Sequence, residues 1–193
     1  MATNQRGRAT RELLLDVVDD LLAERGLDVT VEEIAAAAGV SRPTVYRHFD
    51  DRGALVTAAV LRASARLADV LTGVLATDRP FTERLTDAIV LTVRETRDNP
   101  SIGALLAGAN PATAWPDLDR EGLFLDAVHV YFRSWLVRAV EEEGVELRAD
   151  VDTTLDWVLR QALLLMLVPS AIGHGDAAVR RDVETFVIPG IVQ

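Results

Sequence analysis

Apolar residues recur along most of the chain at intervals of three and four, the spacing that keeps them on one side of an α-helix. Between 11 and 25, Leu14, Val17, Val18, Leu21 and Leu22 share a face, and Gly26 follows as a natural helix stop. Segment 52–76 repeats the pattern over a longer run, with Leu55, Ala59, Leu61, Ala68, Leu71 and Leu75 in or near one stripe. Segments 81–98, 101–109, 120–143, 151–170 and 176–187 read as further helices, and 30–38 and 42–48 as short ones. The intervals between them carry turn chemistry, as in TDRP (77–80), DNPS (98–101), EEEGVE (141–146) and GHGD (173–176). No period-two alternation stands out. The expectation is an all-α fold of about nine helices, divided near residue 50 into a three-helix unit, 1–50, and a longer helical body, 51–193.

The short helices are specified in most detail. Thr30 and Glu33 form T-x-x-E, a capping box, and Val29 and Ile34 are spaced to staple it. Ser41 is the next N-cap, Val40 and Val45 repeat the staple, and Pro43 falls in the first turn, where its missing N–H costs nothing. Gly39 supplies the positive φ that a tight connection needs. The sum is a helix-turn-helix over 30–48. Val45 and Phe49 lie four apart and face inward, which leaves Arg42, Thr44, Tyr46, Arg47 and His48 mostly on the other sides. A major groove about 12 Å wide admits one helix, whose leading residues meet base edges. Arg42, Thr44 and Arg47 are base-edge candidates, with Ser41 and Pro43 at the leading end of the same surface. Tyr46, His48, Arg52 and the Thr30 region suit phosphates. Arg6 and Arg8, ahead of segment 11–25, suit an arm in the minor groove.

Charge sharpens this reading. The net charge of −10 argues against a general nucleic-acid coat or an anionic-membrane binder, but not against a small basic patch. All 20 basic residues are arginine. Within 1–55 they gather at Arg6, Arg8, Arg11, Arg42, Arg47 and Arg52, while Asp16, Asp19, Asp20 and Glu24 fall on the far face of segment 11–25. The absence of cysteine suits a reducing compartment. The N-terminus has no apolar signal region, and the longest apolar run, 162–172, is too short to span a bilayer. A cytoplasmic protein with no membrane partner is expected.

Segment 30–55, TVEEIAAAAGVSRPTVYRHFDDRGAL, resembles the signature of the TetR-type (tetracycline-repressor-like) regulators. Thr30, Ile34, Ala35, Ala38, Gly39, Val40, Ser41, Tyr46, Phe49 and Leu55 carry the match. Arg52 stands where that pattern usually has lysine, which keeps the charge, and Gly53 departs from it. The resemblance implies a double-stranded DNA operator as partner, a small-molecule effector held by the helical body, and phosphate contacts from Tyr46, His48 and Arg52.

Two half-site contacts require two copies. Segment 151–170 is apolar on nearly every side, including Leu155, Ala162 and Leu164, and 176–187 offers Val179, Val183, Phe186 and Val187. A helix apolar all round must be covered all round. These two segments are therefore expected to form a homodimer as an intermolecular four-helix bundle, as the resemblance also implies. Candidate effector contacts are Thr92, Trp115, Phe124, Tyr131, Trp135, Trp157 and Gln161; few charges share their faces, which suggests a largely apolar ligand. Asp126 and His129 are i, i+3 but have no second pair at ligand spacing, so neither metal nor cofactor is expected. No nucleophile, P-loop, dinucleotide or zinc-protease motif occurs, so no enzyme is expected. The expected function is a ligand-responsive regulator, a repressor released from a palindromic operator by a small, largely apolar molecule. The alternative is a helical small-molecule-binding protein without DNA function, which would have no use for Arg42, Tyr46 and Arg47 outside its core.

Overall fold

The computed structural model describes residues 2–26, 28–99, 123–168 and 175–193. Helix α1 spans Ala2–Arg25, α2 Val31–Ala37, α3 Arg42–His48, α4 Arg52–Leu75 and α5 Phe81–Asp98. After these come α6 (Leu123–Glu143), α7 (Val151–Leu167) and α8 (Asp176–Asp182), then a π-helical turn (Val183–Val187) and the short α9 (Ile188–Ile191). Among the described residues there is no strand, only an isolated antiparallel bridge between Leu147 and Val192. The fold is all-α, as the periodicity requires. Segment 101–109, Trp115 and the side chains of Phe124 and Asp126 lie outside the described residues.

Two elements depart from the sequence reading. The first helix begins at Ala2, not at 11. Residues 2–10 carry no apolar stripe, so periodicity does not mark them. A helix already nucleated further along extends because each added residue gains a backbone bond. Arg6 and Arg8 are consequently helical rather than an extended arm, and a helix does not enter a minor groove about 6 Å wide. The second departure is at the C-terminal end, where 176–187 is not one α-helix. At Val183–Val187 the chain widens into a π-turn, and the Ile188 N–H reaches back five residues to the Val183 carbonyl. Pro189 follows directly, with no N–H to give and a ring that crowds the preceding turn.

Among the described residues two compact units separate, with boundaries inside α4, between Arg66 and Leu67, and inside α5, between Thr96 and Arg97. In the first, Leu14, Leu15, Val18 and Leu22 of α1 pack with Val29, Ile34, Val45, Phe49, Leu55 and Ala59. In the second, Leu71 and Leu75 join Phe81, Leu85, Trp135, Leu136 and Val183. The last carbonyl of α4, on Leu75, accepts both Arg84 Nη1 (2.9 Å) and the Trp135 indole N–H (3.1 Å). A cation at a helix C-terminus meets the negative end of the macrodipole. Arg84 is buried and also pairs with Glu143, so α5 carries a charge on the face it turns to the core.

The surface expected to form a dimer is smaller than the sequence suggests. Val179, Val183 and Val187 are buried in their own unit, as are Leu155 and Ala162. Neighbouring helices of the same chain cover them. Trp157, Leu164 and Phe186 remain outward, Phe186 at 71% exposure.

Candidate nucleic-acid interface

The site is built on two helix starts. The Thr30 hydroxyl accepts the Glu33 N–H (3.3 Å), and the Glu33 carboxylate accepts the Thr30 N–H (2.9 Å), closing the capping box. The bond from the Thr30 backbone, then that from its hydroxyl, holds the Glu33 carboxyl below its ordinary pKa; the charge of Arg25, which pairs with it, adds to this. At the turn Gly39 adopts φ +64°, and the Val40 N–H donates to the Ala35 carbonyl at 2.9 Å. Ser41 occupies the N-cap of α3, and Pro43 lies in the first turn. The Ser41 hydroxyl does not cap the backbone; it lies 3.0 Å from the Thr44 hydroxyl.

With Val45 and Phe49 turned into the core, α3 presents one continuous outer surface. Arg42, Pro43, Tyr46 and Arg47 are exposed, and Thr44 and His48 are half-buried. Tyr46 is 45% exposed, a large aromatic ring left open on a short helix. Arg42 Nη1 lies 2.7 Å from Glu32 Oε1. The His48 Nε2 is enclosed and has no hydrogen-bond partner. Arg52 Nε donates to the Val29 carbonyl, which ties the start of α4 to the connection before α2.

Helix α1 reaches the same region. The Arg11 guanidinium lies over the Phe49 ring, 5.1 Å from its centroid, so this turn of α1 lies beside the C-terminal end of α3. Arg8 is one turn earlier on the same side, because residues three apart on a helix are neighbours. Arg6, Arg8 and Arg47 have no ion partner among the described residues, whereas Arg25 and Arg42 are paired.

Sequence reasoning missed Arg62. Its guanidinium donates to Asp16 (2.7 Å), to Asp19 (2.5 Å) and, more distantly, to Glu12 (3.4 Å). Burial works against its charge, but the bonds to Asp19 and then Asp16 outweigh that, and its pKa lies above the ordinary value. The acids on the far face of α1 are thus partly a socket for α4. The only signal was three acids at helical spacing, which names no partner. Arg62→Ala should destabilise the protein by about 2–3 kcal/mol, below the roughly 3–5 kcal/mol for one member of a fully buried pair, because Asp16 stays well exposed. Chemical denaturation measures this, and a loss under about 0.5 kcal/mol would mean the pairing is a solvated surface contact.

A cavity of about 20 Å³ is lined by Leu85, Phe132, Trp135, Leu136, Thr154 and Leu155, among others. That volume suits about one water molecule. The Thr154 hydroxyl there is buried without a partner. Of the effector candidates among the described residues, only Trp135 lines this cavity. Tyr131 packs edge-on against Phe132, Thr92 donates to the Ala88 carbonyl, Gln161 is half-buried and Trp157 is exposed. No group of three or more His, Asp or Glu arranged for a metal occurs among the described residues.

Residues 14–59 match the family described as bacterial regulatory proteins, tetR family. Over 186 residues the sequence is 30% identical to an uncharacterized HTH-type transcriptional regulator of Mycobacterium tuberculosis, covering 96% of this chain and 87% of that protein. The chain belongs to the tetR family.

As a TetR-family helix-turn-helix regulator it is a DNA-binding protein of a family of transcription regulators. The matched span, 14–59, runs from the first buried leucine of α1 to Ala59 of α4 and so coincides with the first hydrophobic core. Solved structures extend the likeness in fold to the body. The fatty acid degradation regulator FadR from Bacillus halodurans superposes with a TM-score of 0.73 at 14% identity, covering 92% of this chain and 93% of FadR. RolR, solved with resorcinol, does so with 0.65 at 22% identity, covering 97% of this chain and 93% of RolR. No helix among the described residues is long and apolar enough to cross a membrane.

Proposed function

We propose that this TetR-family regulator is a repressor that sits on a palindromic operator and is released by a small, largely apolar molecule. The observation that carries the reading is the outer surface of α3. It sets an exposed tyrosine and an unpaired arginine beside a second arginine on a helix whose only fully inward side chain is Val45. In this reading 1–50 is the DNA-binding domain and 51–193 the effector-binding and dimerisation domain. Arg42, Thr44 and Arg47 address base edges, led by Ser41 and Pro43. Tyr46, His48 and the Thr30 region address phosphates. Arg52 is divided between Val29 and the duplex. Arg6 and Arg8 reach phosphates from the flank of a helix.

Two copies pair through Trp157, Leu164 and Phe186, the large apolar side chains that α7 and the π-turn leave outward. The effector enters the body near the cavity lined by Trp135, where apolar walls and the unpartnered Thr154 hydroxyl favour an apolar molecule with at most one polar group. RolR, of the same fold, holds a small ring compound. The resting cavity must widen to take such a ligand, and this gives the effector a differential affinity for two states. A near-complete switch requires about 5.5 kcal/mol of it.

Selecting bound duplexes from a random pool tests the reading, with an inverted repeat as the expected product. Enrichment of no sequence at all would refute it. On the selected operator Arg42→Ala should cost about 1–3 kcal/mol and relax one base position in each half-site. Equal losses on operator and scrambled DNA would remove Arg42 from base readout.

A further inference from the structure

We infer that Glu32 is a specificity-determining residue, which positions Arg42 for bases and withholds it from phosphates. This rests on the reading of Arg42 as a base contact. Glu32 and Glu33 are adjacent acids in the first turn of α2 but have separate tasks. Glu33 is committed to Thr30 and Arg25. Glu32 instead reaches across to α3, where its Oε1 lies 2.7 Å from Arg42 Nη1. Both side chains are about half exposed, so the pair contributes little to folding.

Arg42 is the first residue of α3, at the positive end of that helix, where a cation is disfavoured. Glu32 supplies the opposite charge at that point. It also restrains a long side chain that would otherwise lose its rotamer freedom on meeting DNA.

The consequence follows from what a free arginine does on a duplex. Phosphates are anionic and present at every step, so an untethered Arg42 adds affinity for any sequence. A carboxylate beside it repels the phosphates and competes with them. The guanine edge is a neutral acceptor pair, N7 and O6, and is not repelled in this way. The fork engaged through Nη1 still has N–H donors at Nε and Nη2, enough for two parallel bonds to that edge. Glu32 therefore lowers affinity for random DNA more than affinity for the operator.

The test uses the full chain, a duplex of the sequence enriched from the random pool, and a scrambled duplex of equal length and composition. Wild type, Glu32→Gln, Arg42→Ala and the double variant are titrated on both duplexes across a salt series. For each protomer in contact, Glu32→Gln should bind the scrambled duplex roughly eightfold more tightly near 0.1 M salt, the gain from one added phosphate contact, with a log–log salt slope steeper by about 0.9. Affinity for the operator should change much less, so the operator-to-scrambled ratio falls. In the Arg42→Ala background, Glu32→Gln should lower that ratio no further. If Arg42→Ala lowers the ratio while Glu32→Gln leaves both ratio and slope as in wild type, the role of Glu32 is overturned and the reading of Arg42 stands. If Arg42→Ala itself leaves the ratio intact, the reading of Arg42 fails and the inference fails with it.

Discussion

Trp135→Ala should cost about 3–5 kcal/mol of folding free energy, the range for deleting a large buried aromatic. In a chain of this size that lowers the melting temperature by roughly 10 °C, which thermal unfolding followed by circular dichroism would record. The indole is 5% exposed and stacked on Phe81, with ring centroids 5.0 Å apart and planes 15° from parallel. Its N–H bonds to the Leu75 carbonyl, and Arg84 lies 5.5 Å from its ring centroid. Removing it opens a void between α5 and α6 and takes away one of two donors from the end of α4. Trp135→Phe keeps a ring but not the donor. Arg84 still serves Leu75, so this variant should lose only about 1 kcal/mol. A Trp135→Ala loss no greater than that of Trp135→Phe would show that the ring is not packed as described. The same residue lines the small cavity, so an effector that widens it must move against this packing.

Operator affinity should fall roughly a thousandfold between 50 and 200 mM salt. Each phosphate neutralised by a cation releases about 0.9 counterions. Arg6 and Arg8 are exposed and without ion partners among the described residues, and Arg52 divides its guanidinium between Val29 and the duplex, so two protomers would bring about six such contacts, for a slope near −5. The protein's net charge of −10 makes this a demanding test, because its surface as a whole repels DNA. Binding measured by fluorescence anisotropy on the selected duplex gives the slope directly. A slope near zero would mean that the contact surface is not these arginines. Alanine at Arg8 should flatten the slope by about one unit per protomer, where a structural role would leave it unchanged.

Features that depend on a few consecutive residues are legible in the sequence alone. The capping box of Thr30 and Glu33, the positive φ of Gly39, Pro43 inside a first turn, and the inward Val45 and Phe49 all lie where spacing puts them. Each rests on a bond or a contact spanning three to five residues, so the local chain specifies it almost completely. The helical periods of α4 and α5 belong to the same class. The candidate site residues on α3 are legible for that reason, since naming the inward Val45 and the inward Phe49 at the C-cap names the outward side chains of so short a helix.

Partners distant in the chain are not legible. Arg62 meets acids 43 to 50 residues away, Arg84 meets Glu143 across 59, and Arg52 reaches the Val29 carbonyl across 23. Periodicity says that Asp16 and Asp19 share a side of α1 but not what that side faces, and charge attraction has no address in a sequence. Which apolar residues of 176–187 stay outward is equally hidden. The π-turn ahead of Pro189 and the helices packed over it bury Val179, Val183 and Val187 and leave Phe186 in the open. Local bonding and binary pattern thus select an all-α chain with a stapled turn. The packing of helices against one another then assigns each charge its partner and each apolar face its cover, because both depend on distances that fold-back alone creates.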